Sequence, residues 1–62
     1  MNYENFGIYR HRENLTLKEA AELIGVSIHS VYLWECGQVI PSRRNLKKIC
    51  EAYHIKEEDL DR

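Results

Sequence analysis

The chain has 62 residues and a formal net charge of −1. A chain of this length buries only about 60% of the surface that its unfolded form exposes, so we expect a single domain over residues 1–62 with a small core. Apolar residues make up 44% of the sequence and charged residues 31%, which is typical of a folded globular domain and argues against a disordered chain.

The first two predicted helices have clear start signals. Helix 1 is predicted from about Asn5 to Glu13, with Phe6 and Tyr9 on one face. Helix 2 is predicted from Thr16 to Ile24, because Thr-Leu-Lys-Glu at its start matches a capping box. Small alanines on the inner side of helix 2 would allow a second helix to approach closely.

A tight turn and a third helix follow. Gly25-Val26-Ser27 supplies a helix C-cap, a buried apolar residue and the next N-cap, and the third helix is predicted over 27–36 with Gly37 closing it. Val31 and Trp34 lie three residues apart and would face inward. Two helices joined by a tight glycine turn, at about residues 16–36, predict a helix-turn-helix. The outer face of the third helix has no evident core role and carries Ile28, His29, Tyr32 and Leu33.

The last third of the chain predicts two more helices. Pro41 interrupts the chain after helix 3, and Ser42 can cap a fourth helix over Arg43 to Tyr53. The apolar residues of this helix recur at three- and four-residue spacing and should face inward, namely Leu46, Ile49, Cys50 and Tyr53. A last short helical turn is predicted over Lys56 to Leu60, and Ile55 and Leu60 would close the base of the core or meet a partner. The sequence therefore predicts an all-α domain of five short helices with no strand.

A family resemblance covers about Phe6 to Leu60. The run LTLKEAAELIGVSIHSVYLWECGQVIPSRRNLKKICEAYHIKEEDL resembles the Cro and phage-repressor type of helix-turn-helix domain, the XRE family. The matching features are a Leu-Thr start, alanine at position 21, Gly-Val-Ser at the turn, Trp-Glu-x-Gly after the second helix of the motif, and then Pro-Ser and Asn-Leu. The resemblance implies a compact, lambda-repressor-like fold of five helices. It also implies an internal salt bridge between Arg10 and Glu35.

The resemblance implies a sequence-specific transcriptional regulator, namely a repressor of phage or mobile-element type that binds double-stranded DNA. The predicted base contacts are on helix 3 and comprise Ile28, His29, Ser30, Tyr32 and Leu33. Ile28 and Leu33 could contact thymine methyl groups, so we expect a site containing A·T pairs. The predicted phosphate contacts surround this helix and comprise Thr16, Leu17, Lys18, Ser27, Gln38, Arg43, Arg44 and Lys47.

Two alternatives remain open at the level of sequence. The basic residues could form only a solvated helix face. The apolar group of Leu17, Ile28, Tyr32 and Leu33 could instead mark a protein interface. The second function to weigh is thus a protein-interaction module on the same fold, such as an antitoxin or partner-binding regulator. One short helix reads few bases, so we also expect a homodimer, with contacts through Tyr53, Ile55 and Leu60.

Other classes of function have little support. No apolar run approaches the roughly 20 residues of a membrane span, and the first residues do not match a signal peptide, so we expect a cytoplasmic protein with no membrane partner. Cys36 and Cys50 lack metal-ligand spacing, and we expect no metal and no cofactor. No nucleophile has a base at motif spacing, so we do not expect an enzyme.

Overall fold

The computed structural model describes residues 4–61 and the side chains of residues 5–60. This part of the chain folds into four α-helices and a 3₁₀ helix that follows them. The helices are α1 (Glu4–Arg12), α2 (Leu17–Ile24), α3 (Ile28–Glu35) and α4 (Arg43–Tyr53), and the 3₁₀ helix spans Glu57–Asp61. These residues contain no strand, as predicted. Of the predicted extent 1–62, residues 1–3 and residue 62 lie outside the described part.

The predicted count of five α-helices is not matched. The segment expected to form the fifth helix is a 3₁₀ helix of five residues, which starts at Glu57 rather than Lys56. The Asp59 side chain accepts a hydrogen bond from the Lys56 amide at 2.9 Å, and the Asp59 amide donates to the Lys56 carbonyl at 3.0 Å. These two hydrogen bonds provide partners for the backbone groups of the turn. The segment is too short to continue as an α-helix.

Hydroxyl side chains begin three of the helices. Thr16, Ser27 and Ser42 precede α2, α3 and α4, and each side chain accepts a hydrogen bond from the backbone amide three residues later. These bonds satisfy amides that have no partner within the helix. The helix starts predicted from the sequence are therefore present, one residue inside the expected bounds for α2 and α3.

A residue with positive φ follows each α-helix and turns the chain. These residues are Asn14, Gly25, Gly37 and His54, with φ between 57° and 85°. After α3, the Gly37 amide donates to the Trp34 carbonyl and the Gln38 amide donates to the Leu33 carbonyl. This is the Schellman pattern, which requires a left-handed residue at the position of Gly37. The helices consequently end at fixed positions and leave only short connections.

The core lies where the four α-helices meet. Helix α2 packs against both α3 and α4, α3 packs against α1, and the 3₁₀ helix packs against α4. The two alanines of α2, Ala20 and Ala21, are fully buried and permit the close approach of α3. The buried apolar residues are Phe6, Ala20, Ala21, Ile24, Val31, Trp34, Leu46, Ile49, Cys50, Tyr53, Ile55 and Leu60.

This core corrects the predicted dimer contact. Tyr53, Ile55 and Leu60 are all buried in the isolated chain, because the 3₁₀ helix folds back onto α4 and closes the core there. They leave no exposed apolar surface for a second copy, so the prediction that they form a dimer interface is wrong. The large apolar side chains that remain exposed are Ile8, Leu23, Ile28, Tyr32, Val39 and Ile40.

Candidate nucleic-acid interface

Helices α2 and α3 form the helix-turn-helix, joined by residues 25–27. Gly25 has a φ of 85°, and the Val26 amide donates a hydrogen bond to the Ala21 carbonyl at 3.0 Å. These two features end α2. The Ser27 hydroxyl then caps the start of α3, because its oxygen accepts a hydrogen bond from the Ser30 amide at 3.1 Å. The turn therefore uses its own backbone and one hydroxyl to fix the direction in which α3 leaves α2.

The inner face of α3 anchors it to the core. Val31 and Trp34 are both buried, and Trp34 is only 4% exposed. Burial of a tryptophan side chain removes a large apolar area from water, which makes this residue the main hydrophobic anchor of α3. The orientation of the outer face follows from this anchor.

The outer face presents three well-exposed side chains. Ile28 is 47% exposed, Tyr32 is 52% exposed, and His29 is also exposed. The rings of His29 and Tyr32 are stacked, with centroids 6.5 Å apart and planes 21° apart. Interaction with the Cys36 side chain raises the pKa of the Tyr32 hydroxyl.

Two of the predicted base-contact residues are less available. Ser30 and Leu33 are half-buried, and the Ser30 hydroxyl oxygen lies 3.1 Å from that of Ser27. Leu17, which was grouped with the exposed apolar residues, is also half-buried and packs against the core. The exposed apolar part of α3 is therefore narrower than the sequence predicted and consists of Ile28 and Tyr32.

An ion pair holds the far end of α3 against α1. The Arg10 Nε donates to Glu35 Oε2 at 2.7 Å and its Nη2 donates to Oε1 at 3.0 Å, while Nη1 donates to the Leu15 carbonyl at 2.9 Å. Arg10 is only 7% exposed. The hydrogen bond with Glu35 raises the pKa of Arg10, although burial acts in the opposite direction. The pair implied by the family resemblance is thus present, with a third contact that joins α1 to the start of the connection to α2.

Gly7 makes room for this pair, and the sequence analysis overlooked it. A Cβ atom at Gly7 would lie 3.1 Å from Glu35 Oε1, closer than ordinary van der Waals contact. A glycine inside a helix destabilises that helix relative to alanine. The presence of Gly7 within predicted helix 1 was therefore the feature of the sequence that could have indicated a close contact here. The absence of a side chain at this position lets the Glu35 carboxylate approach α1.

The N-terminus of α2 differs from the prediction at Thr16. The Thr16 amide donates to Glu19 Oε1 at 2.9 Å, and the Thr16 hydroxyl accepts from the Glu19 amide at 3.0 Å. The hydrogen bond from the Thr16 amide, with a smaller contribution from the Thr16 side chain, lowers the pKa of Glu19. The predicted phosphate contact at Thr16 would need a free amide at this residue, and this amide is already engaged by Glu19. An anion at this end would have to use the first-turn amides of Leu17 and Lys18.

A cleft brings this helix end and α3 together. It has a volume of about 700 Å³ and is open to solvent. Its lining combines the end of α1, the start of α2 and the first residue of α3, namely Arg10, His11, Asn14, Leu15, Thr16, Leu17, Lys18 and Ile28. His11 and Asn14 were missed in the sequence analysis, although their proximity to Thr16 in the chain placed them near this helix start. Cationic and apolar groups consequently share one surface beside α3.

The remaining predicted phosphate contacts lie after α3. Gln38 is exposed just beyond the end of α3, and Arg43, Arg44 and Lys47 are exposed on the first half of α4. None of these three cations forms an ion pair with another described residue. They remain available to an anionic partner, in contrast to the buried Arg10.

Other chemistry has no assembled site in the described residues. No three histidine, cysteine or acidic side chains are grouped there in a way that could hold a metal ion. Cys36 is an exposed free thiol and Cys50 a buried one, and burial raises the pKa of Cys50. Among residues 4–61, no helix combines the length and apolar character needed to cross a membrane.

Comparison with known proteins agrees with this geometry. A family model described as a helix-turn-helix domain matches residues 6–62. A search of curated proteins and a search of solved structures each find no significant match. The family match covers the two helices, the turn and nearly all of the core that supports them. The chain therefore belongs to the helix-turn-helix domain family, and this membership supports DNA as its partner.

Proposed function

We propose that this protein is a sequence-specific transcriptional regulator, a repressor of the Cro and phage-repressor (XRE) type acting in the cytoplasm. The observation that carries the proposal is the outer face of α3, where Ile28, His29 and Tyr32 are exposed on a helix fixed by the buried Trp34. A rigid helix that presents side chains without a role in the core is suited to read base edges in the major groove.

Two groups of residues would hold the DNA backbone on either side of α3. The first is the cleft at the start of α2, with Lys18, the nearby His11 and the first-turn amides. The second comprises the exposed Gln38, Arg43, Arg44 and Lys47. The formal net charge of −1 does not prevent such binding, because the local field depends on where the charges lie. Three of the ten acidic residues, Glu57, Glu58 and Asp59, belong to the 3₁₀ helix beyond α4.

Recognition would involve two copies of the chain on a short palindrome. Two recognition helices in such a complex would be separated by about 34 Å, one turn of the duplex. The buried Tyr53, Ile55 and Leu60 do not supply the contact between copies. The pairing can therefore be weak in solution and be completed when both copies bind adjacent half-sites.

Selection from a pool of random duplexes tests this function directly. We expect sequencing of the bound fraction to give one short site with two-fold symmetry. Mutation of the α3 residues should abolish the enrichment, while Lys56→Ala, a change at a cation remote from both groups, should leave it intact. Enrichment of no sequence over the starting pool, with a folded protein, would overturn the proposal.

A second candidate function rests on the exposed apolar side chains. Ile28 and Tyr32 on α3, with Val39 and Ile40 in the following loop, are all exposed. Exposed apolar residues grouped along the chain can mark a protein interface. A protein-interaction module, such as an antitoxin, would lose its protein partner rather than DNA when Ile28 and Tyr32 are replaced. The selection experiment separates the two functions, because only the regulator gives a preferred duplex.

A further inference from the structure

We propose that Ile28 and Tyr32 make α3 a reader of the pyrimidine C5 methyl group, so that 5-methylcytosine can take the place of thymine in the bound site. The inference rests on the proposed function, since it requires the outer face of α3 to enter the major groove. It specifies what the outer face of α3 recognises, namely a methyl group rather than a particular base.

The side chains of α3 are the first support. Bidentate reading of guanine uses arginine or lysine, and bidentate reading of adenine uses asparagine or glutamine. None of the eight residues of α3, IHSVYLWE, is of these four types. Helix α3 therefore lacks the side chains that make bidentate contacts to guanine or adenine.

The Ser30 hydroxyl of α3 is also engaged within the protein, since it lies within hydrogen-bond distance of the Ser27 hydroxyl. Besides the His29 ring and the Tyr32 hydroxyl, the exposed face offers apolar surface, from Ile28 and from the Tyr32 ring one helical turn later. Thymine is the base that presents an apolar group, its C5 methyl, in the major groove.

The position of Ile28 is the second support. Ile28 lines the same cleft as Leu17, Lys18 and His11 at the start of α2. A cation and first-turn amides can hold a phosphate there, and the apolar edge of the cleft lies directly beside them. Such a cleft would hold the sugar-phosphate backbone at a fixed distance from Ile28, which is the condition for a weak apolar contact to become selective.

Contact through the methyl group predicts a definite pattern among pyrimidines. Uracil has the hydrogen-bonding groups of thymine but lacks the methyl group, whereas 5-methylcytosine has the methyl group and the hydrogen-bonding groups of cytosine. Burial of one methyl-sized group contributes about a fourfold change in affinity. A methyl reader should therefore prefer thymine to uracil, and 5-methylcytosine to cytosine, by about this factor at each contacted position.

The experiment uses the full chain and the preferred duplex from the selection described above. Each thymine of the site is replaced in turn by uracil, cytosine or 5-methylcytosine, and the dissociation constant is measured by fluorescence anisotropy. At one position in each half-site we expect uracil to weaken binding about fourfold and 5-methylcytosine to bind about fourfold more tightly than cytosine. Preference for thymine together with no effect of cytosine methylation would overturn the claim that methylcytosine is accepted.

Three variants assign the contact to its residues. Ile28→Ala and Tyr32→Ala should each reduce the difference between thymine and uracil. Tyr32→Phe, which keeps the ring and removes the hydroxyl, should preserve it. Ile40→Ala is the matched control, because it removes an exposed apolar side chain outside α3 and should leave the difference unchanged. Circular dichroism of each variant verifies that the helices remain folded.

The possible failures are distinguishable. A protein that selects a site but binds every uracil-substituted duplex as tightly as the original would overturn methyl reading, while the regulator function would stand. A thymine preference that survives both Ile28→Ala and Tyr32→Ala would also overturn it. Failure to select any duplex would remove the proposed function itself, and this inference with it.

Discussion

Helices α3 and α4 differ in where they place their apolar side chains. In α4 the apolar residues Leu46, Ile49, Cys50 and Tyr53 all face the core, and the exposed face is charged. In α3 the buried pair of Val31 and Trp34 is opposed by exposed Ile28 and Tyr32. Folding alone accounts for the pattern of α4, because these four residues are buried and the half-buried Ala52 also packs against the core. It does not account for the outer face of α3, which is why the proposed function places the contact with a partner there.

The largest expected effect separates the two faces of α3. Trp34→Ala should lower the free energy of unfolding by about 3–5 kcal/mol, because it leaves a cavity in the core. For a domain of this size such a loss approaches the whole stability. Tyr32→Ala, two residues earlier on the exposed face, should change it by no more than about 0.5 kcal/mol. Urea unfolding followed by circular dichroism measures both, and similar losses for the two variants would contradict the assignment of faces.

The ion pair between α1 and α3 gives the next effect. Glu35→Ala should lower the free energy of unfolding by about 3–5 kcal/mol, because it leaves the Arg10 charge buried without its partner. Replacement of both residues by apolar ones should cost less than the sum of the single changes. The matched control is Glu13→Ala, which breaks the exposed contact between Glu13 and His54 at 2.7 Å and should cost at most about 1 kcal/mol. Equal costs for Glu35→Ala and the control would show that burial adds nothing to the pair.

A DNA-binding measurement sharpens the comparison at His29. His29→Ala should weaken binding to the preferred site by about 1–3 kcal/mol and relax the preference at one base position. Binding to a duplex of unrelated sequence should not change, since that binding depends on phosphate contacts. Titration of both duplexes by anisotropy gives the two values. A uniform loss on both duplexes would place His29 among the backbone contacts instead.

The basic residues of α4 should behave in the opposite manner. Arg43→Ala and Lys47→Ala should weaken binding to all sequences alike, and each lost phosphate contact should reduce the slope of log K against log salt concentration by about 0.9. Lys56→Ala is the control, because it removes an exposed cation that follows the C-terminal end of α4. An unchanged slope in the first two variants would support the simpler interpretation of a solvated helix face.

The smallest effect concerns the capping box of α2. Hydrogen bonds from Thr16 lower the pKa of Glu19 below its ordinary value of 4.5, so the folded state favours the charged carboxylate. The stability that this provides is present above the unfolded pKa and is lost as the pH falls through the lower, folded pKa. Glu19→Gln should therefore flatten the fall in the free energy of unfolding below about pH 4.5. Glu22→Gln, which removes a carboxylate from the same helix outside the capping box, is the control for this acid titration.

Local signals in the sequence predicted most of the helices. The three hydroxyl caps and the spacing of apolar residues in α4 depend on neighbouring residues, and the structure has them where expected. The burial of Trp34 also followed from local spacing, since the helix period puts it on the same side as Val31. Arg10 and Glu35 are 25 residues apart, and only the family resemblance indicated their contact.

The errors concern packing over longer distances. Ile55 and Leu60 could either close the base of the core or meet a partner, and no local pattern decides between the two; the structure buries both, with the 3₁₀ helix packed against α4. Leu17 and Leu33 are half-buried for a related reason, because neighbouring helices cover one side of each. Within the candidate site, the sequence overestimated the exposed apolar area of α3, because Leu33 is half-buried.

The short length of the helices has a consequence for any measured affinity. The four α-helices have only 8 to 11 residues each, below the roughly 12–15 residues at which an isolated helix becomes even marginally stable in water. A peptide of α3 alone should therefore be unstructured, and the outer face exists only in molecules whose whole core is formed. The apparent affinity for a partner is then the intrinsic affinity multiplied by the folded fraction, so a core substitution in α4 can weaken binding without touching the interface. By mass action, a partner at 100 times its dissociation constant adds about 2.7 kcal/mol to the stability of the folded chain.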